Sequence, residues 1–188
     1  MRLPRFSSRQ VGMNRGKKGA AHNDPPTLWF DRLTMSGEKG VGMKASEGKL
    51  RRVFVLRLED GDMVPECIEG FAAEKGIKTG HVILIGGIGG GQVVVGPRKS
   101  DEMPPEPVMI PVEGAHEVEG VGIIAPDKEG KPVLHIHASL GRGGKTLTGC
   151  LRPGVKTWLV GEAIIYEITG TRARRLPDPK SGFELMEM

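Results

Sequence analysis

The chain has 188 residues, 38% hydrophobic and 27% charged, enough for one globular domain with a packed core plus a tail. No apolar run nears the roughly 20 residues that span a bilayer, and the basic start MRLPRFSSRQ lacks the apolar stretch of a secretory signal. Two cysteines, Cys67 and Cys150, make no disulfide framework, so the expected compartment is the cytoplasm.

The net charge of +4 is unevenly placed. Residues 1–49 hold ten Lys/Arg against four Asp/Glu, a net of +6, which leaves −2 for residues 50–188. The first 49 residues show neither a period of 2 nor one of 3.6, and they are rich in Gly, Lys, Arg, Ser and Pro. They read as a basic, disordered N-terminal extension. Such a tail can hold phosphates by releasing counterions.

From Arg51 the pattern changes. RRVFVLRLEDGD alternates, with Val53, Val55 and Arg57 on one face and Phe54, Leu56 and Leu58 on the other, which predicts a strand. A helix follows over MVPECIEGFAAEKG, with Asp62 as its expected cap, Pro65 in its first turn and Gly76 as its left-handed end. Cys67 falls on its apolar stripe and reads as a small core residue. HVILI and QVVVG flank GGIGGG and read as two buried strands joined, or bent, at the glycines. Further strands are expected at VMIPVEG, HEVEGVGIIAP, PVLHIHASLG, KTLTGCLRPG and VKTWLVGEAIIYEITG, with a polar turn from Asp127 to Lys131 around Gly130. One clear helix and six to eight strands make an α+β domain, mainly antiparallel, with one or two packed helices. The organisation is an extension at 1–49, a domain at 50–170 and a C-terminal arm at 171–188.

Two glycine-rich stretches suggest phosphate loops and fail as such. GGIGGG has Gln92 where the dinucleotide fingerprint needs its third glycine. Gly143-Gly144-Lys145-Thr146 has Ser139 where a P-loop needs its first glycine, and TLTGCLRPG is poor helix material. A hairpin turn explains these glycines better.

The histidines carry more. In a strand, His135 and His137 share a face, while Leu134, Ile136, Ala138 and Leu140 face a core. Two imidazoles about 7 Å apart along a strand can reach one ion. If GRGG folds the chain back, Cys150 arrives on the neighbouring strand, and two imidazoles with a thiolate suit Zn²⁺. His81 is a candidate fourth ligand, as is His116. The other reading of HIH is a polar strand face at a subunit contact, with hydrogen-bonded imidazoles. Ser139 lacks a nucleophile elbow and reads as a structural hydroxyl. Glu117 and Glu119 share a face and could act as acid or base near an ion, or stand solvated. No catalytic residue is assigned.

The run HIHASLGRGGKTLTGCLRPGVKTWLVGEAIIYEI resembles the PPC domain (plants and prokaryotes conserved), which shows an HxHASL segment, a glycine-rich turn and a later Gly-His or Gly-Cys. The preceding strand, helix and HVILIGGIGG segment fit the same order, so the resemblance covers about residues 50–170. It implies an antiparallel α+β fold, a homotrimer, a binding or regulatory role, and kinship with acetolactate decarboxylase. That enzyme binds zinc through an HxH pair and a later His. The pair matches His135 and His137, and the later position matches Cys150, a departure that keeps a metal-ligand type. Plant members of the family carry an AT-hook that enters DNA. Here Asn14-Arg15-Gly16-Lys17-Lys18-Gly19 lacks the second Arg and the Pro of that hook, which leaves Arg15, Lys17 and Lys18 as the nucleic-acid candidates. The alternative to a DNA-associated module is a zinc-dependent small-molecule enzyme or binder.

Overall fold

A computed structural model describes residues 42–188. Strand β1 spans Lys49–Glu59, helix α1 Val64–Lys75, β2 Thr79–Gly90 and β3 Gln92–Pro97. Next come β4 (Pro107–Pro111), β5 (His116–Pro126), β6 (Pro132–Arg142), β7 (Lys145–Leu151) and β8 (Lys156–Thr169). The chain ends in β9 (Arg174–Pro177) and β10 (Glu184–Glu187), which pair with each other. The other eight strands form one sheet in the order β1-β8-β2-β5-β6-β7-β3-β4, antiparallel throughout. The expected α+β class holds, with a single helix among the described residues. The arm at 171–188 forms the small β9–β10 hairpin.

Strand alternation divides the sheet into a covered and an open face. On the covered face Val82, Leu84, Ile136, Leu140 and Ile165 join Val64, Ile68 and Ala72 of α1 in one buried cluster. Each fully buried Ile or Leu there stabilises the fold by about 1.5–3 kcal/mol. Glu69 on α1 also accepts a 2.8 Å hydrogen bond from the Leu134 N–H, which ties the helix to β6. At the helix C-terminus, Arg52 donates to the buried Glu167 carboxylate from Nε at 2.5 Å and from Nη2 at 3.0 Å. Arg52 Nη2 also donates to the Lys75 carbonyl at 2.9 Å, so one guanidinium links β1, β8 and the end of α1.

Gly76 ends α1 in the left-handed conformation, as expected. The expected start is displaced by one residue. Met63, not Asp62, is the N-cap, and no side chain caps the helix. Asp62 instead accepts a hydrogen bond from the Glu59 N–H at 2.8 Å, closing the β1 turn. The Val64 N–H at the helix start is taken by the Val155 carbonyl at 2.8 Å, so a backbone group supplies the cap.

GGIGGG bends the chain rather than making a hairpin. Strand β2 pairs with β5 and β8, whereas β3 pairs with β7 and β4. The true hairpin is at Gly143-Gly144. Arg142 pairs with Lys145, and both glycines between them have positive φ, 56° and 76°. Two consecutive positive φ values define the type I′ turn that matches strand twist. The stretch after it is strand β7, not a helix, so the P-loop reading fails on context as well as on spacing.

Candidate metal centre

The two-residue turn fixes the register that builds the site. Counting outward from Arg142–Lys145, His137 falls opposite Cys150. Direct partners in an antiparallel pair share a face, and His135 lies on that face two residues along β6. The Nε2 atoms of His135 and His137 stand 3.1 Å apart. One ligand atom each from His135, His137 and Cys150 lies within 4.8 Å of the other two. Two nitrogens bound tetrahedrally at about 2.0–2.1 Å from one zinc ion stand about 3.3 Å apart, so the imidazoles already have the spacing of ligands. In the absence of an ion, one ring must donate to the other.

Close packing behind Cys150 holds it in place. A Cβ at Gly149 would fall 2.2 Å from the Val94 carbonyl oxygen, so only glycine lets β3 approach β7 here. Val94 then flanks Cys150 on the side away from His137. Strand β7 ends at Leu151, so the site sits at a notch where β6 loses its partner.

Burial and neighbouring cations favour the neutral form of His135. Burial pushes its pKa below the ordinary histidine value, and Arg175, His137 and Arg152 push the same way. A neutral imidazole is the metal-binding form. Arg175 comes from β9, outside every sequence motif above. Its side chain is 6% exposed. Its Nη2 donates a long 3.4 Å bond to the carbonyl of Ile123, the residue paired with His135 on β5, and its Nε has no acceptor among the described residues. Sequence reasoning missed it because RARR falls in the stretch read only as a C-terminal arm. Only the fold places one of those arginines against the sheet.

The remaining sequence candidates distribute as follows. His81 pairs with Ile123, which in turn pairs with His135. It therefore shares the face of the site but stands two strand spacings away, about 10 Å. Its ring stacks on Tyr166 at 6.3 Å, and it is outside the group that closes on one point. His116 lies at the start of β5, with Nδ1 at 2.9 Å from the Gly114 carbonyl oxygen. Ser139 shares a 2.9 Å hydrogen bond with the Thr148 hydroxyl, in keeping with a structural role. Glu119 pairs with Ser139 and is exposed, as is Glu117. Burial pushes the Cys67 thiol up to about 11, and its sulfur donates to the Val64 carbonyl, in keeping with a core residue. Arg15, Lys17 and Lys18 lie outside the described residues.

Fold and site together define an antiparallel α+β domain with a group of two histidines and a cysteine on its open sheet face. The chain belongs to the Plants and Prokaryotes Conserved (PCC) domain family, whose model matches residues 45–169. Among solved structures it is similar to a metal-containing protein of Archaeoglobus fulgidus, at 26% identity and a TM-score of 0.68 over 78% of this chain and 100% of that one. A plant- and prokaryote-conserved protein of Pyrococcus horikoshii is similar at 26% identity and a TM-score of 0.67, over 78% of this chain and 98% of that one. A candidate DNA-binding protein of Bacteroides thetaiotaomicron shares the fold at 19% identity and a TM-score of 0.62, over 74% of this chain and 96% of that one. No curated protein matches the sequence. No helix among the described residues is long and apolar enough to cross a membrane.

Proposed function

We propose that the chain is a cytoplasmic, homotrimeric metal-binding module that holds one zinc ion per protomer through His135, His137 and Cys150. The convergence of three ligand atoms within 4.8 Å carries this reading. Mixed imidazole and thiolate ligands favour Zn²⁺ over Mg²⁺ or Ca²⁺, which prefer oxygen. Three protein ligands leave a fourth position free, the arrangement of a site that binds or polarises a small molecule. The metal-containing relative from Archaeoglobus fulgidus agrees with it.

The trimer is what the family resemblance implies, and the open face of the sheet supports assembly. Val53, Val55, Ile85, Val121 and Ile123 all project there and are exposed in the protomer, Val55 by 77%. An apolar face of this kind calls for a partner. A second copy of the same acidic-bodied domain is the partner the family resemblance implies.

Metal content tests the reading. Protein purified without chelators is expected to carry one zinc per chain, lost in the His135→Ala/His137→Ala double variant. Metal-free wild-type protein overturns it.

A second reading, DNA association and regulation, draws on the charge asymmetry. Residues 1–49 carry +6, including Arg15, Lys17 and Lys18, against a body of −2. As a basic extension, the tail would bind phosphate backbones without base recognition. Affinity is then expected to fall steeply with salt and to vanish on deletion of residues 1–42; unchanged affinity contradicts the tail mechanism.

A further inference from the structure

We propose that Arg175 and the His135–His137–Cys150 group form one composite site for a small organic carboxylate, with one oxygen on the bound metal ion and the other on the guanidinium. The inference rests on the metal reading above and extends it from an ion site to a ligand site.

Arg175 is a buried cation that makes no direct ion pair among the described residues, although the charge of Glu184 on β10 acts on it. Its only hydrogen bond among the described residues is the 3.4 Å contact from Nη2 to the Ile123 carbonyl, and its Nε is buried and unpartnered. A guanidinium has five N–H groups in a fixed fork. Leaving the Nε of such a group buried without an acceptor is destabilising. A carboxylate would supply the missing acceptor in the bidentate geometry that suits the fork.

Position makes the metal group the natural neighbour for that carboxylate. The carbonyl that Arg175 touches belongs to Ile123, the direct partner of His135. The charge of Arg175 is felt at His135, and Cys150 is one of the groups that act on Arg175 in return. Once a divalent ion is bound, the ion and Arg175 bring three positive charges against one thiolate and the Glu184 carboxylate, an excess of one. Arg152 adds a further charge from the exposed turn after β7. The excess is positive, and only an anion at the open coordination position relieves it.

A monocarboxylate fits better than phosphate. Arg175 is the one buried cation among the described residues, and its contact on β5 is the Ile123 carbonyl. A dianion would bring a charge that the exposed Arg152 screens poorly. The arm that carries Arg175 begins beyond residue 169, where the family match ends.

The test uses the full chain loaded with Co²⁺ as a visible stand-in for zinc. Acetate, titrated at constant ionic strength against chloride, is expected to shift the Co²⁺ absorption bands saturably. Arg175→Met, and independently Arg175→Lys, should each weaken that titration by about tenfold or more, because the charged fork is lost or replaced by a point charge. Both variants should still take up one Co²⁺ per chain, so that the acetate titration can be read in each. A parallel thermal-shift titration of metal-free protein with acetate gives a readout that does not depend on the ion. Stabilisation present in wild type and absent in the variants supports the Arg175 half even if Co²⁺ fails to bind, an outcome that sinks the metal reading and the composite site. Bound Co²⁺ with no spectral response to acetate, or an equal response in wild type and both variants, overturns the proposal and leaves the metal reading standing. Tighter binding of inorganic phosphate than acetate overturns the carboxylate assignment.

Discussion

His137 on β6 and Cys150 on β7 are direct cross-strand partners, and that register is set five residues away on each strand by a two-glycine turn. Thirteen positions separate the two residues in sequence, yet a single hairpin brings them together on one face. The first consequence concerns Cys150 itself. Structural zinc sites gain about 10–16 kcal/mol from four ligands, so one ligand is worth roughly 3 kcal/mol, or about a hundredfold in affinity. Cys150→Ser is expected to weaken zinc binding by about that factor, and Cys150→His to retain most of it. Competition with a chromophoric chelator measures both.

The turn should be as sensitive as the ligands. Gly144 has φ near 76°, where a side chain with a Cβ is destabilised by roughly 1–2 kcal/mol. Gly144→Val is expected to lower the melting temperature and also to weaken zinc binding, because any slip in register carries Cys150 to the opposite face. A stable variant with unchanged zinc affinity would show that the turn does not set the site.

Acid sensitivity should be traceable to Glu167. Its hydrogen bonds from Arg52 hold its carboxyl below the ordinary value of 4.5, and the charges of Arg52 and Arg51 reinforce this. A carboxyl depressed in the folded state contributes stability that is present above the unfolded value. That contribution is lost as pH falls through the folded value. Glu167→Gln is therefore expected to destabilise the protein by about 1.5–3 kcal/mol at pH 7, and by progressively less as the pH falls below about 4.5. Denaturant titrations at several pH values give the comparison; a difference that is constant with pH contradicts the assignment.

Thiol chemistry should separate the two cysteines. With its pKa near 11, Cys67 is almost wholly protonated at pH 8 and is expected to resist iodoacetamide in the folded protein. Cys150 should be protected when zinc is bound and gain labelling when it is stripped. Mass spectrometry of tryptic peptides distinguishes the sites, and zinc-independent labelling of Cys150 would argue against its role as a ligand.

Assembly offers a test on the open face. Val55 and Val121 are exposed by 77% and 58% in the protomer. Val55→Glu with Val121→Glu is expected to convert a trimer to a monomer in sedimentation without loss of fold. A monomeric wild type contradicts the trimer.

Much of the site was legible in sequence because it rests on local rules. Alternation in PVLHIHASLG put both histidines on the face opposite Leu134 and Ile136, and GRGG announced the reversal that returns Cys150. What escaped depended on long-range order. His81 shares the face of His135, but no local pattern reveals that β5 lies between their strands. Asp62 has the chemistry of a helix cap, yet a neighbouring backbone carbonyl at Val155 took that place. Arg175 sits in a run of arginines with no periodicity, and its burial follows only from where the last hairpin docks.

A zinc ion held by two imidazoles and one thiolate has a distinctive scattering signature. X-ray absorption at the zinc edge of the full chain reads that ligand set directly. One sulfur at about 2.3 Å is expected, with nitrogen or oxygen ligands at about 2.0–2.1 Å and imidazole scattering beyond. The sulfur shell should disappear in Cys150→Ser. A zinc environment without sulfur in the wild type, or a sulfur shell that survives the substitution, contradicts that ligand set.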